Sequence, residues 1–330
     1  LTDNTVTIAV DVLGGDDAPA VVLAGVDAAL AADSDLKIAL TGPEDVVVPF
    51  AAQRDRVRAV PTTEFIDMGE HPANAVRSKK DSSIVVGCRL VKDGEAAGFF
   101  SAGNTGACMA AATLVMGRIA GVSRPAIATV IPAAERPSVL LDVGANADVK
   151  PENLVQFGLM GRAYAQVVLG IDEPTVGLLN IGAEPTKGSM LAQEAHVLMA
   201  EGVPGFVGNV EGREIAEGST DVIVTDGFTG NVALKLLEGL AKTLLTQVKN
   251  AMTSTPIRSL AASVLKEPLM ELKERINPDT YGGAPLLGVR GVCIIGHGSS
   301  NPRAVAAGID VAARAVRGGL TDRIATAVAE

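Results

Sequence analysis

Five short apolar runs each end in glycine beside asparagine, aspartate, serine or threonine, and that punctuation constrains this chain more than any other feature. Ala97 to Phe100 leads into Ser101-Ala102-Gly103-Asn104-Thr105-Gly106, and Val6 to Val12 into Gly14-Gly15-Asp16. Val139 to Val143 meets Gly144-Ala145-Asn146, Val176 to Ile181 meets Gly182, and Val222 to Thr225 meets Asp226-Gly227-Phe228-Thr229-Gly230-Asn231. A sharp turn of glycines and short polar residues at a strand's end, followed by a helix, presents backbone N–H groups to an anion. Five such turns are expected to form one polar rim along one edge of a sheet, with bare N–H groups at Gly103 and its neighbours.

Strands are expected at 6–12, 36–40, 97–100, 126–131, 138–142, 175–180, 221–225 and 292–296, with helices at 18–32, 81–92 and 107–117. That alternation predicts a three-layer α/β/α fold with a mostly parallel sheet, whose ligands bind beyond the strands' carboxyl ends. The 330 residues are expected to form a single domain, 1–330, and the 48% apolar content suffices for a large core. Only 3% of residues are aromatic and none is Trp, so no platform exists for stacking nucleic-acid bases. A net charge of -10 further disfavours nucleic acid as a partner. The three cysteines, Cys88, Cys108 and Cys293, lack metal or disulfide spacing and fit a reducing cytoplasm. Apolar stretches such as Ala107 to Met116 fall short of the roughly 20 residues that span a bilayer, and no secretory signal opens the sequence.

After Asn231 a long helix to about Asn250 leads into a helical hairpin, about 252–277. Ile257, Leu260, Ala261, Val264 and Leu265 recur there at three and four. Packing on the body or a second copy, or lipid contact, both suit that face.

Several side chains suit anion chemistry. Arg77-Ser78-Lys79-Lys80-Asp81-Ser82-Ser83 gathers cations and hydroxyls before a helix, an arrangement suited to phosphate. Lys187 lies in a glycine-bounded turn. Asp226 and Asn231 either orient a nucleophile or cap a helix. His71 and His297 have structural or substrate-orienting roles, and Cys108 is read as a small buried residue rather than a nucleophile.

Taken together, Asp11-Val12-Leu13-Gly14-Gly15-Asp16, Lys79 to Ser83, Ser101 to Ala107, Asp142 to Asn146, Gly177 to Gly188, Gly208 to Gly212, Asp226 to Asn231, Tyr281 to Gly288 and His297 to Ser300 resemble the bacterial phosphate acyltransferase family along nearly the whole chain. Ala183 stands where that family more usually has an acidic residue, and Cys108 where an aliphatic one is expected.

The resemblance implies a fold similar to isopropylmalate dehydrogenases and phosphotransacetylases, a homodimer, and transfer of a fatty acyl group from acyl carrier protein to inorganic phosphate, with no cofactor and no metal. It also implies a cytoplasmic enzyme held peripherally at the membrane through Ile257, Leu260, Val264 and Leu265, feeding a glycerol-3-phosphate acyltransferase. Lys187, Asp226, His297 and Asn231 are then the catalytic candidates. Asp11, Gly15, Lys80, Ser82, Ser83, Ser101, Gly103, Asn104, Thr105 and Asn146 are the substrate-binding candidates. For an acidic carrier protein, either Arg54, Arg56 and Arg58 or Lys235, Lys242 and Lys249 would supply a landing patch. The alternatives are an NAD- and metal-dependent dehydrogenase using Asp142 and Asp226, and a membrane-edge scaffold without catalysis.

Overall fold

The computed structural model describes residues 4–265, 267–270 and 281–329. The expected hairpin therefore runs outside the described residues at 271–277, as does the side chain of Val264.

Four strands, β1 (Val6–Asp11), β2 (Leu36–Gly42), β3 (Val57–Pro61) and β4 (Gly98–Ser101), open the chain. They are followed by β5 (Ala126–Ile131), β6 (Ser138–Leu141), β7 (Val176–Asn180), β8 (Phe206–Glu211) and β9 (Val222–Val224), then by β10 (Ala284–Leu287) and β11 (Val292–Ile295). Among the described residues they form one 11-stranded sheet in the order β3-β2-β1-β4-β11-β10-β5-β6-β9-β7-β8. Strands β1, β4 and β11 are buried on both faces, so they read as near-continuous apolar runs rather than as alternating ones.

Helices close both faces. Ile8, Val10, Leu36 and Ile38 point to the side carrying α1 (Ala20–Ala32), α6 (Pro151–Val168) and α11 (Pro302–Arg317). Ala9, Phe99, Ile127, Leu140 and Cys293 point to the side carrying α4 (Ser83–Lys92) and α5 (Thr105–Ala111). The result is the expected three-layer α/β/α arrangement.

Strand polarity, however, departs from the single rim. β1, β2, β3, β4 and β11 are mutually parallel, as are β6, β9, β7 and β8. Between these sets, β10 is antiparallel to both β11 and β5, and β5 is antiparallel to β6. Three reversals leave the second set running opposite to the first. The carboxyl ends of β6, β9 and β7 consequently face the opposite edge of the sheet from those of β1, β4 and β11.

Strands β3, β8 and β10 have no counterpart among the expected ones. β3 and β8 lie at the sheet's two margins, where arginine, proline, asparagine and glutamate are tolerated and the apolar pattern fades. Proline breaks the pattern of β10 as well. The expected helix at 107–117 is α5 followed by a π-helical turn, Ala112–Met116.

α9 (Gly227–Thr253) is 27 residues long, and beyond Leu237 it is almost wholly exposed. Val232, Leu236, Leu240, Leu244 and Val248 form an uncovered apolar stripe along it, and α9 packs against α10 (Pro256–Val264). Ile257 and Leu260 on α10 are exposed, as is Leu265 beyond it. No helix among the described residues is long and apolar enough to cross a membrane.

Candidate functional site

At the end of β1, the buried Asp11 organises the first rim. Its Oδ2 accepts the Ser101 hydroxyl at 2.7 Å and its Oδ1 the Leu13 N–H at 3.0 Å, while Ser101 Oγ accepts the Gly103 N–H at 3.0 Å. Burial pushes the Asp11 carboxyl above its ordinary range, against the opposing pull of the Ser83 and Ser101 hydroxyls. Gly15 adopts a φ of 117°, and the following Asp16 N–H reaches the Gly298 carbonyl at 2.7 Å, joining the turns after β1 and β11. Asn104 caps α5 by accepting the Ala107 N–H at 2.9 Å, and its amide donates to the Asp67 and Met68 carbonyls. Thr105, beside it, is exposed.

Ser82 and Ser83 lie behind this rim and are buried. The Ser82 hydroxyl donates to the Lys79 carbonyl at 2.9 Å, so it faces inward rather than toward a ligand. Lys79 is ion-paired with Glu70 at 2.6 Å, which leaves the exposed Lys80 as the available ammonium of that pair. His297 is also exposed, and its Nδ1 accepts the Ser299 backbone N–H at 3.2 Å. A backbone N–H can only donate, so a neutral His297 carries its proton on Nε2.

The second rim is built on Asp142. Its Oδ1 accepts N–H bonds from Ile127, Gly144 and Ala145 at 3.0 to 3.1 Å, and its Oδ2 accepts both the backbone and the amide of Asn146. Burial raises the Asp142 pKa, and those same bonds oppose the rise. The Asn146 carbonyl in turn accepts the Gly227 N–H at 2.8 Å. A Cβ added at Gly230 would collide with the Asp142 carbonyl oxygen, so only glycine lets α9 start against this loop. Asp226 caps α9, accepting the Thr229 N–H and hydroxyl at 2.8 Å each. Asn231, exposed in the first turn of α9, lies beside Gly144. Lys187 follows β7, the neighbour of β9, and its side chain is exposed.

These geometries change the anion reading in two ways. First, the glycine turns do not offer bare cradles: Asp142 fills the one at Gly144 to Asn146, and Ser101, held by Asp11, fills the one at Gly103. Second, one chain does not gather the expected residues at one place. Asp11, Gly15, Lys80, Ser101, Gly103, Asn104, Thr105 and His297 belong to one edge of the sheet, whereas Asn146, Lys187, Asp226 and Asn231 belong to the other. Sequence periodicity reports that strands exist but carries no record of their direction.

The arginine landing patch is likewise occupied. Arg54 pairs with Asp27 at 2.6 Å and stacks on Phe50, Arg56 donates to the Leu30, Asp33 and Leu36 carbonyls, and Arg58 pairs with Glu95. On α9, Lys235 pairs with Glu238, while Lys242 and Lys249 are exposed. Cys108 is buried and its thiol is pushed up to about 12, chiefly by desolvation, which suppresses the thiolate a nucleophile needs. Among the described residues no three His, Cys, Asp or Glu side chains are grouped to hold a metal ion. Asp142 and Asp226, the carboxylates a dehydrogenase would need, are committed to their own loops.

What the motifs did not reveal is a cavity of about 420 Å³ beside the second rim, where the two parallel sets meet. Arg118, Ser123, Arg124 and Pro125 line it from the loop entering β5. Met109 and Thr113 line it from α5 and the π-helical turn, Ala145 and Asn146 from the turn after β6, and Leu286 from β10. Cationic and hydroxyl groups thus share one chamber with apolar walls, suiting a ligand that is anionic at one end and hydrocarbon at the other. The pair Arg118 and Arg124 lies outside the five glycine turns that end the apolar runs; the sequence signal was two arginines bracketing a short loop around Gly121.

Residues 6–323 match a family model described as "Fatty acid synthesis protein". The phosphate acyltransferase of Desulfitobacterium hafniense (strain Y51) is 50% identical over 321 residues, covering 96% of each chain. That of Acidobacterium capsulatum is 47% identical over 323 residues, covering 96% of this chain and 95% of its own. Among solved structures, the EutD phosphotransacetylase from Staphylococcus aureus aligns with a TM-score of 0.62 at 16% identity over 96% of both chains. A phosphotransacetylase from Streptococcus pyogenes gives 0.61 at 16% identity over 94% of both. At such identities the structural likeness shows the fold alone.

Proposed function

This chain belongs to the phosphate acyltransferase family, and from that premise we propose that it transfers a fatty acyl group from the thioester of acyl carrier protein to inorganic phosphate, releasing the carrier thiol and an acyl phosphate. The observation that carries this reading is the chamber between the two strand sets, which Arg118, Arg124 and the Asn146 amide line together with Met109 and Leu286.

Phosphate is largely an oxyanion near neutral pH, so the enzyme has no nucleophile to create. A phosphate oxygen attacks the thioester carbonyl, the C–O bond forms, the C–S bond breaks, and the leaving thiolate takes up a proton. Positioning and charge stabilisation dominate such a reaction. In this reading Lys187 neutralises charge on phosphate or on the tetrahedral oxyanion. Asp226, Asn231 and Asn146 set the geometry of the second rim around it.

The first rim serves substrate binding from the other edge of the sheet. Lys80, Thr105 and His297 do so through exposed side chains. Asp11, Gly15, Ser82, Ser83, Ser101, Gly103 and Asn104 act by fixing the shape of the turns. A homodimer is part of the reading, as is docking of the acidic carrier along Lys242 and Lys249. So is cytoplasmic residence with peripheral membrane contact through the hairpin, where the acyl phosphate passes to a glycerol-3-phosphate acyltransferase.

The test is cleavage of an acyl carrier thioester followed by hydroxylamine trapping. Hydroxamate formed only when phosphate is present supports the reading. Thiol release at the same rate without phosphate would overturn it.

A further inference from the structure

We infer that Arg124 is the residue that binds the acceptor phosphate, an inference that rests on the reaction proposed above. The two arginines of the chamber are not equivalent. An Arg118 guanidinium nitrogen donates to the Ser123 carbonyl, and the Arg118 carbonyl accepts from Arg290 Nε at 3.0 Å, so Arg118 is part of the loop's framework. No hydrogen bond or ion pair among the described residues engages the Arg124 guanidinium. Its backbone is nonetheless held on both sides. Ser123 donates its N–H and hydroxyl to Gln156 Oε1 at 2.9 and 2.8 Å and accepts the Asn153 amide at 2.6 Å. The Pro125 carbonyl accepts the Asn146 amide at 2.8 Å.

A free guanidinium on a fixed backbone, facing a chamber, is prepared to bind an anion with little loss of freedom. Its planar fork matches two oxygens of a phosphate, which a lysine cannot reproduce. Asn146 ties this loop to the second rim, since its carbonyl accepts the N–H of Gly227, the residue after Asp226. The anion at Arg124 therefore sits beside the rim where acyl transfer is proposed. The backbone N–H groups of that rim are already spent on Asp142, leaving side-chain cations to do the binding.

Two phosphate-bearing ligands share this chemistry: free inorganic phosphate and the phosphodiester of the carrier's thiol arm. The inference commits to the former. Binding of inorganic phosphate to the full chain would be titrated by calorimetry for the wild type, Arg124→Gln, Arg124→Lys and the surface control Lys37→Gln. The KM for phosphate and for the acyl carrier thioester would be measured in parallel. Circular dichroism checks that Arg124→Gln, a change at an exposed side chain, stays folded.

Arg124→Gln is expected to weaken phosphate binding and raise the phosphate KM by about 10- to 100-fold, with the carrier KM within about 2-fold and Lys37→Gln unchanged. Arg124→Lys should recover only part of the loss. An unchanged phosphate KM in Arg124→Gln, with phosphate-dependent thiol release intact, overturns the inference and leaves the reaction standing. A rise confined to the carrier KM also overturns it and assigns the chamber to the carrier's phosphodiester. Loss of phosphate binding in Arg124→Gln, from a wild type that shows no acyl transfer, supports the anion site and rejects the reaction.

Discussion

Asp142 and Asn146 are joined twice through one oxygen: Asp142 Oδ2 accepts the Asn146 backbone N–H at 2.7 Å and its side-chain amide at 2.9 Å. Removing the carboxylate in Asp142→Ala strips the acceptor from this pair and from the N–H groups of Ile127, Gly144 and Ala145. Part of that loss is offset because a buried charge disappears. A net destabilisation of about 2 kcal/mol is expected in urea unfolding, with turnover at least 10-fold lower because Asn146 lines the chamber. A fully active variant would disconnect the loop from catalysis.

Asp11 gives a pH-dependent prediction. Burial raises its folded-state pKa above the unfolded value, so the folded chain holds this proton to higher pH. The corresponding stability is fully present below the ordinary carboxylate range of about 3.9 and is lost as pH rises through the folded value. Measured by urea unfolding between pH 4 and 7, the stability of the wild type relative to Asp11→Asn should decline as pH rises. A difference that grows with pH contradicts the sign.

Gly230→Ala places a methyl group against the Asp142 carbonyl, a backbone atom that cannot rotate away. A cost of about 3 kcal/mol is expected, read as a lower thermal midpoint, with loss of activity from displacement of the α9 start. The control Gly239→Ala, where an added Cβ meets nothing within 4 Å, should be neutral or slightly stabilising.

Lys187 and Lys80 separate the two edges of the sheet. Lys187→Ala should lower turnover about 100-fold, in line with loss of one well-placed charge-stabilising group. Lys80→Ala should act mainly on KM. Comparable losses of turnover in both variants would place both ammonium groups at the reacting atoms, which a single chain does not allow.

Cys108→Ala should keep turnover within about 2-fold and cost about 1 kcal/mol from the small cavity left in the core. A folded but inactive Cys108→Ala would restore a thiol mechanism that the buried, protonated side chain argues against.

The local devices were legible in the sequence because each is written in consecutive residues. Strands β1, β6, β9 and β11 follow from runs rich in Val, Ile, Leu and Ala, and β4 from Phe99-Phe100, each leading into a glycine-bearing turn, and the Asp226 and Asn104 caps from a short polar side chain before a helix. Chain direction across the sheet was decided in the tertiary structure: two of the three reversals are pairings of strands adjacent in sequence, β5 with β6 and β10 with β11, but the one that joins the two parallel sets, β10 with β5, pairs Leu286 with Ile127 across most of the chain. The same holds for the chamber: only the fold brings Arg118 and Arg124 to line one cavity with Asn146 and Leu286. Nothing in an arginine's own neighbours states whether its charge is spent on a carbonyl or left free for a ligand.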